Sequence, residues 1–141
     1  MRKFGNENMS HISPEMMEEY ISFGDIGRFI QDIHFNPNVL ENQNVKRIMR
    51  NQTFRKTEFL ATLGENSLWS RAKRDDVLIM VINNACNILQ AFVLQNVNNL
   101  DKNIAAFHSK LRAIKRMRAD VYKAQMQIFT LMCFEEFYVE L

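Results

Sequence analysis

Glycine and proline are scarce in this chain, at four and two residues in 141. That scarcity argues against a loop-rich sandwich and for long regular elements. Two cysteines cannot make a disulfide framework. Cys86 and Cys133 both stand in apolar runs and read as buried free thiols of a reducing compartment, with a single Cys86–Cys133 bridge as the alternative. The three histidines, His11, His34 and His108, are scattered, and no CxxC, HxxxH or HExxH spacing occurs. A zinc site would need distant residues to converge, so no metal is expected. A P-loop and a GxGxxG turn are also missing, and no cofactor is expected. The N-terminal MRKFGNENMSHIS has no apolar stretch of signal-peptide type, and no window of about 18 uninterrupted apolar residues suggests a membrane span. These absences point to an intracellular protein with no membrane partner.

What is present is core material: eleven Phe and nine Met in a chain that is 47% hydrophobic. This length and composition suit one domain with a single core. The net charge of +2 conceals an uneven distribution. Residues 1–45 carry three basic and seven acidic side chains. Residues 46–56 carry five basic and no acidic ones, and residues 102–123 carry seven basic and one acidic. Local patches therefore say more than the total.

Residues 1–12 read as a flexible tail, and residues 13–141 as one globular unit. Ser13-Pro14 is a helix start, with Ser as cap and Pro in the first helical position. The first helix runs to about Phe23 and stops at Gly24. Asp25 caps a second, in which Ile26, Phe29, Ile30 and Ile33 make one apolar face. Pro37 forces its end. Residues 45–70 turn β-like in VKRIM, EFLATL and SLWS, giving two or three short antiparallel strands that must pack on helices. Asp75 and Asp76 then open a long helix with a broad apolar face from Val77 to Val93. From about Leu100 a last helix places Ile104, Phe107, Leu111, Ile114, Val121, Ile128 and Met132 on a near-heptad seam. Arg118 and Gln125 interrupt that seam, which favours a helical hairpin over a long coiled-coil dimer and allows a break near Arg118–Asp120. The expected fold is α+β and mostly helical: two short N-terminal helices, a small two- to three-stranded antiparallel sheet, then a long helical hairpin.

Two basic zones are the candidate binding surfaces. Arg112, Arg116 and Lys123 stack on one helical face, broadened by Lys102, Lys110, Lys115 and Arg118. Such a stripe suits phosphates, or simply solvates a helix. In VKRIMRNQTFRK, Lys46, Arg50, Arg55 and Lys56 could flank a groove with Phe54 for base stacking; the alternative is an edge strand protected by charge. Nucleic acid becomes the better reading if the two zones share a face. Asp75-Asp76 could hold a metal, but compensation of the helix dipole explains them. His34 could serve a nuclease as general base, with Asn36, Asn42 or Asn44 beside it. As a corner, the same stretch has plainer roles: His34 caps a helix, Asn36-Pro37 ends it, and Asn42 and Asn44 tie the loop to the strand at Val45.

The same stretch carries a resemblance. Ile33–Asn44, IHFNPNVLENQN, resembles the IHFNP…PENxN signature of uncharacterised proteins of giant DNA viruses of the mimivirus type. The likeness extends through a short β segment at Val45–Ile48, a Gly64-Glu65-Asn66 turn, Trp69, and a helix entered from Arg71 into Asp75-Asp76-Val77. It covers about residues 25–135. Leu40 stands where the signature has proline, and the zinc-finger-like or coiled-coil part that often precedes the signature is missing. The resemblance implies a viral protein of the infected cell's cytoplasm or the virion, and no particular reaction.

Together these readings predict a small non-enzymatic viral binding domain. Nucleic acid is the first partner. The alternative is a protein-interaction or assembly module, such as a virion component or an inhibitor of a host defence protein, for which the heptad-like helix leaves a homodimer open.

Overall fold

The computed structural model describes residues 1–49, 58–63, 68–96, 104–120 and 138–140. Four helices are described, α1 (Pro14–Phe23), α2 (Ile26–His34), α3 (Arg74–Gln95) and α4 (Ile104–Asp120), with four strands, β1 (Val45–Met49), β2 (Glu58–Ala61), β3 (Ser70–Lys73) and β4 (Tyr138–Glu140). The fold is α+β and mostly helical, with α3 and α4 packed as a hairpin.

The N-terminal helices start and stop where local chemistry dictates. Ser13 Oγ accepts the Met16 N–H at 3.1 Å, and Pro14 follows in the first turn. Gly24 ends α1 at φ +63°, where a β-carbon would be strained. Asp25 Oδ1 then accepts the Arg28 N–H at 3.2 Å to begin α2. The α2 stripe Ile26, Phe29, Ile30 and Ile33 is buried along its length. Pro37 bars continuation, and Asn36 Oδ1 accepts the Asn38 N–H at 2.9 Å to close the turn. The Tyr20 hydroxyl donates to Asp32 Oδ2, tying α1 to α2. Burial and that carboxylate push the Tyr20 hydroxyl well above its ordinary range.

The central helix is α3. Val77, Leu78, Val81, Ile82, Ala85, Cys86, Leu89 and Val93 are buried, and α3 packs against α2, α4, β2 and β3. Asp75–Gln95 is long and apolar enough to cross a membrane by length and composition, contrary to the expectation from uninterrupted runs. Asn83, Asn84, Asn87 and Gln90 break the run without lowering the average enough to matter, and the apolar face packs on neighbouring elements. On α4, Ile114 and Met117 are buried and Leu111 partly so. Val121, Ile128 and Met132, expected to continue this seam, lie outside the described residues, as does Cys133. Cys86 is a free, buried thiol whose pKa burial raises, opposed by Arg118.

The sheet has the order β3-β2-β1-β4. β1 and β2 pair antiparallel, as do β2 and β3, giving the expected three-stranded unit. The fourth strand was not foreseen: β4 pairs parallel with β1, Arg47 opposite Tyr138 and Met49 opposite Glu140. A parallel neighbour arrives by a long crossover, so no turn signal near β1 announces it. β1 is thus interior, and edge protection does not account for its charges.

A sealed polar corner and a candidate nucleic-acid interface

The Asn-rich corner between α2 and β1 is packed from below and strapped from above. His34 is fully buried, and its Nδ1 donates to Asn44 Oδ1 at 2.8 Å. Its Nε2 lies 3.8 Å from Glu7 Oε1, a carboxylate with only 1% of its side chain exposed. The carboxylate in turn accepts the Gly5 N–H at 2.7 Å and the Asn84 amide at 2.8 Å. Phe4 stacks on the imidazole with centroids 5.4 Å apart and planes 3° from parallel. Burial pushes the His34 pKa below its ordinary value, against the pull of Glu7, Asn44 and the Asn42 carbonyl. Asn42 is also fully buried. It accepts the Asn8 N–H at 2.8 Å and donates back to the Asn8 carbonyl at 2.7 Å, as a backbone partner would.

Residues 1–12, expected as a loose tail, are therefore a strap. The Arg2 N–H bonds the Glu41 carbonyl at 2.7 Å and the Phe4 N–H bonds the Thr62 carbonyl at 3.0 Å. Thr62 Oγ1 donates to the Arg2 carbonyl at 2.8 Å, and His11 Nε2 to the Asp32 carbonyl at 2.7 Å. The asparagine side chains tie down this strap and His34; the link from corner to sheet is the Thr62 N–H bonding the Asn44 carbonyl at 3.1 Å. His34 turns toward Asn44 and away from the helix-capping role expected of it. Without surface, it cannot touch a substrate as a general base in this conformation. Glu41 is exposed, paired with Arg2 at 3.5 Å, and its pKa is lowered chiefly by the Asn8 amide.

The basic residues divide differently from their sequence clusters. Arg112 and Arg116 are exposed one turn apart on α4, with Lys115 beside them. Two other cations of that helix are already engaged: Lys110 Nζ meets Glu18 of α1 at 2.8 Å, and Arg118 donates to Asn87 of α3 at 3.2 Å. Arg50, Phe54, Arg55, Lys56, Lys102 and Lys123 lie outside the described residues.

Lys46 belongs to a surface that the sequence clusters did not show. Along β1, β2 and β3 the side chains alternate between two faces. Val45, Phe59 and Ala61 are buried on the inner face, with Ala72 packed against the core. The outer face carries Lys46, Leu60 and Arg71 in one cross-strand row, and Lys73 two residues further along β3, where Glu58 of β2 is its register partner. Arg71 and Lys73 are exposed, and Arg71 also takes part in an interaction within the chain. Trp69, just before β3, is 37% exposed, and Lys46 Nζ stands 4.9 Å from its ring centroid. This contact places the indole on the outer face. The alternation in Trp69-Ser70-Arg71-Ala72-Lys73, large or charged against small, is the sequence signal that would have found this surface. No such signal exists for Glu7, which is far from His34 in sequence.

The outer sheet face and the exposed face of α4 belong to different layers: α3 packs on the sheet, and α4 packs on α3 and α1, so among the described residues the two basic zones do not share a face and any nucleic-acid reading rests on the sheet face alone. Among the described residues, no three His, Cys, Asp or Glu side chains gather as a metal-binding set. Comparison with protein-family models, curated proteins and solved structures finds no match to this chain.

Proposed function

We propose that this domain binds nucleic acid through the outer face of its sheet. The observation that carries the proposal is the juxtaposition of Lys46, Arg71 and Lys73 with Trp69 on that face. Cations there can replace the counterions of a phosphate backbone, and the indole offers a π-face to a base. The face is rigid, because the opposite side chains of the same strands are buried in the core. Lysine and arginine on an edge strand such as β3 also discourage pairing with another chain. That role requires neither the indole nor Lys46 on an interior strand.

The exposed pair Arg112 and Arg116 is a second surface of the same sign, and serves as auxiliary contact for a long ligand. With the resemblance at Ile33–Asn44, the proposal extends to a viral nucleic-acid-binding protein working in the infected cell or virion. Mobility-shift titration of the whole chain with a mixed-sequence oligonucleotide at two salt concentrations tests it. Binding at low salt that weakens steeply as salt rises is the expected result. A Lys46→Ala/Arg71→Ala/Lys73→Ala variant should lose more affinity than Arg112→Ala/Arg116→Ala. Absence of binding at low salt, or binding indifferent to salt, contradicts the proposal.

A further inference from the structure

We infer that the ligand of this face is single-stranded, with its backbone running along β3 and an unstacked base on Trp69. The inference rests on the nucleic-acid reading above and narrows its substrate class. Trp69, Arg71 and Lys73 follow one another on the same side of the chain, each two residues from the next. Two residues of a strand span about 6.8 Å. That is about twice the ~3.4 Å rise per nucleotide of a stacked strand, so one step accommodates one unstacked nucleotide. Lys46 stands across the sheet from Arg71, with Leu60 between them in register. Neighbouring strands are about 4.8 Å apart, so this second cation lies roughly 10 Å to the side and can meet the phosphate next to the stacked base.

The geometry is a poor match for a duplex. Duplex bases are stacked on one another and present only their edges in the grooves. A flat sheet face with an aromatic ring has no base plane to meet there, whereas every unpaired base has one. The Lys46–Trp69 contact adds a requirement: the ammonium group leaves the ring face as the base arrives, and transfers to a phosphate.

Because Trp69 is the one tryptophan in the chain, its fluorescence reports the contact directly. The intact protein is titrated at low salt with an eight-nucleotide oligothymidine, its uridine counterpart, and a blunt DNA hairpin. Both single strands should quench the fluorescence and bind at least about tenfold more tightly than the hairpin. Trp69→Ala, followed by anisotropy of a labelled oligonucleotide, should weaken single-strand binding by roughly ten- to hundredfold. Its salt slope should be unchanged, because no phosphate contact is removed. Trp69→Phe should recover part of the loss, which a merely structural role for the indole would not require. A hairpin bound as tightly as the single strands, or full affinity in Trp69→Ala, overturns the inference and leaves the broader nucleic-acid reading standing. Failure of every oligonucleotide to bind overturns both.

Discussion

The corner around His34 and the outer face of the sheet both gather polar side chains, and they use them in opposite ways. In the corner, His34, Asn42, Asn44 and Glu7 are withdrawn from solvent and bonded to one another and to the N-terminal strap. On the sheet, Lys46 stands over the Trp69 indole, and Arg71 and Lys73, both exposed, follow along β3 on the same face. The denser cluster is the less available for chemistry. A collection of His and Asn within a dozen residues suggests a site, but this one is closed to solvent, and even His34 Nε2 and Asn44 Nδ2, which lack hydrogen-bond partners, are buried. Exposure of charge beside an aromatic ring is the feature that can serve a ligand.

Breaking each region separately tests that contrast. The largest effect is expected from His34→Ala. It removes a fully buried ring, leaves a cavity beneath Phe4, and strips Asn44 of its partner. A cost of about 3 kcal/mol is expected, read as a fall in Tm on the order of 10 °C. Where the variant remains folded, its affinity for an oligonucleotide should be unaltered. The sheet triple variant Lys46→Ala/Arg71→Ala/Lys73→Ala should do the reverse. Affinity at low salt falls by roughly 30-fold or more, while denaturant unfolding shifts by less than about 1 kcal/mol.

Asn42→Ala comes next. It deletes both bonds to Asn8 and should cost about 1–2 kcal/mol. Hydrogen exchange should show the loss first in residues 1–10, since the strap is what Asn42 holds. Acidification acts on the same corner. Burial lowers the His34 pKa in the folded state, so the unfolded chain takes up its proton at higher pH than the folded one. Stability from this group is present above about pH 6.5 and declines as pH falls below it, by up to about 1.4 kcal/mol per unit. In His34→Gln that component of the pH dependence should be missing. A profile identical to the wild type would show that His34 is not its source. The smallest effect is expected from Lys46→Met, which removes a half-exposed cation–π contact worth about 0.5–1 kcal/mol and should red-shift Trp69 emission only slightly.

How much of this was legible in the sequence follows from the range of the interactions. The limits of α1 and α2 are local: Ser13-Pro14, Gly24-Asp25 and Asn36-Pro37 each act within a few residues. The apolar face of α3 is equally local, because eight buried positions recur at helical spacing. The strap, the fourth strand and the Glu7–His34 approach are long-range, and nothing near Glu7 or Tyr138 indicates a partner. The basic stripe of α4 was legible as a pattern, but its membership was not. Lys110 and Arg118 have the right charge and the right helix, and their acceptors, Glu18 and Asn87, are on α1 and α3. Trp69 was visible as part of a family-like pattern. Its use depends on Lys46 lying across two strands, which only the pairing register reveals.

An amide chemical-shift map of the isotopically labelled chain, titrated with a short single-stranded oligonucleotide at low salt, locates the binding face residue by residue. The largest shifts should fall at Lys46, Leu60 and residues 69–73, with residues 32–44 unmoved. Shifts concentrated in the His34 corner, or confined to Arg112–Arg116 on α4, would contradict binding at the sheet face.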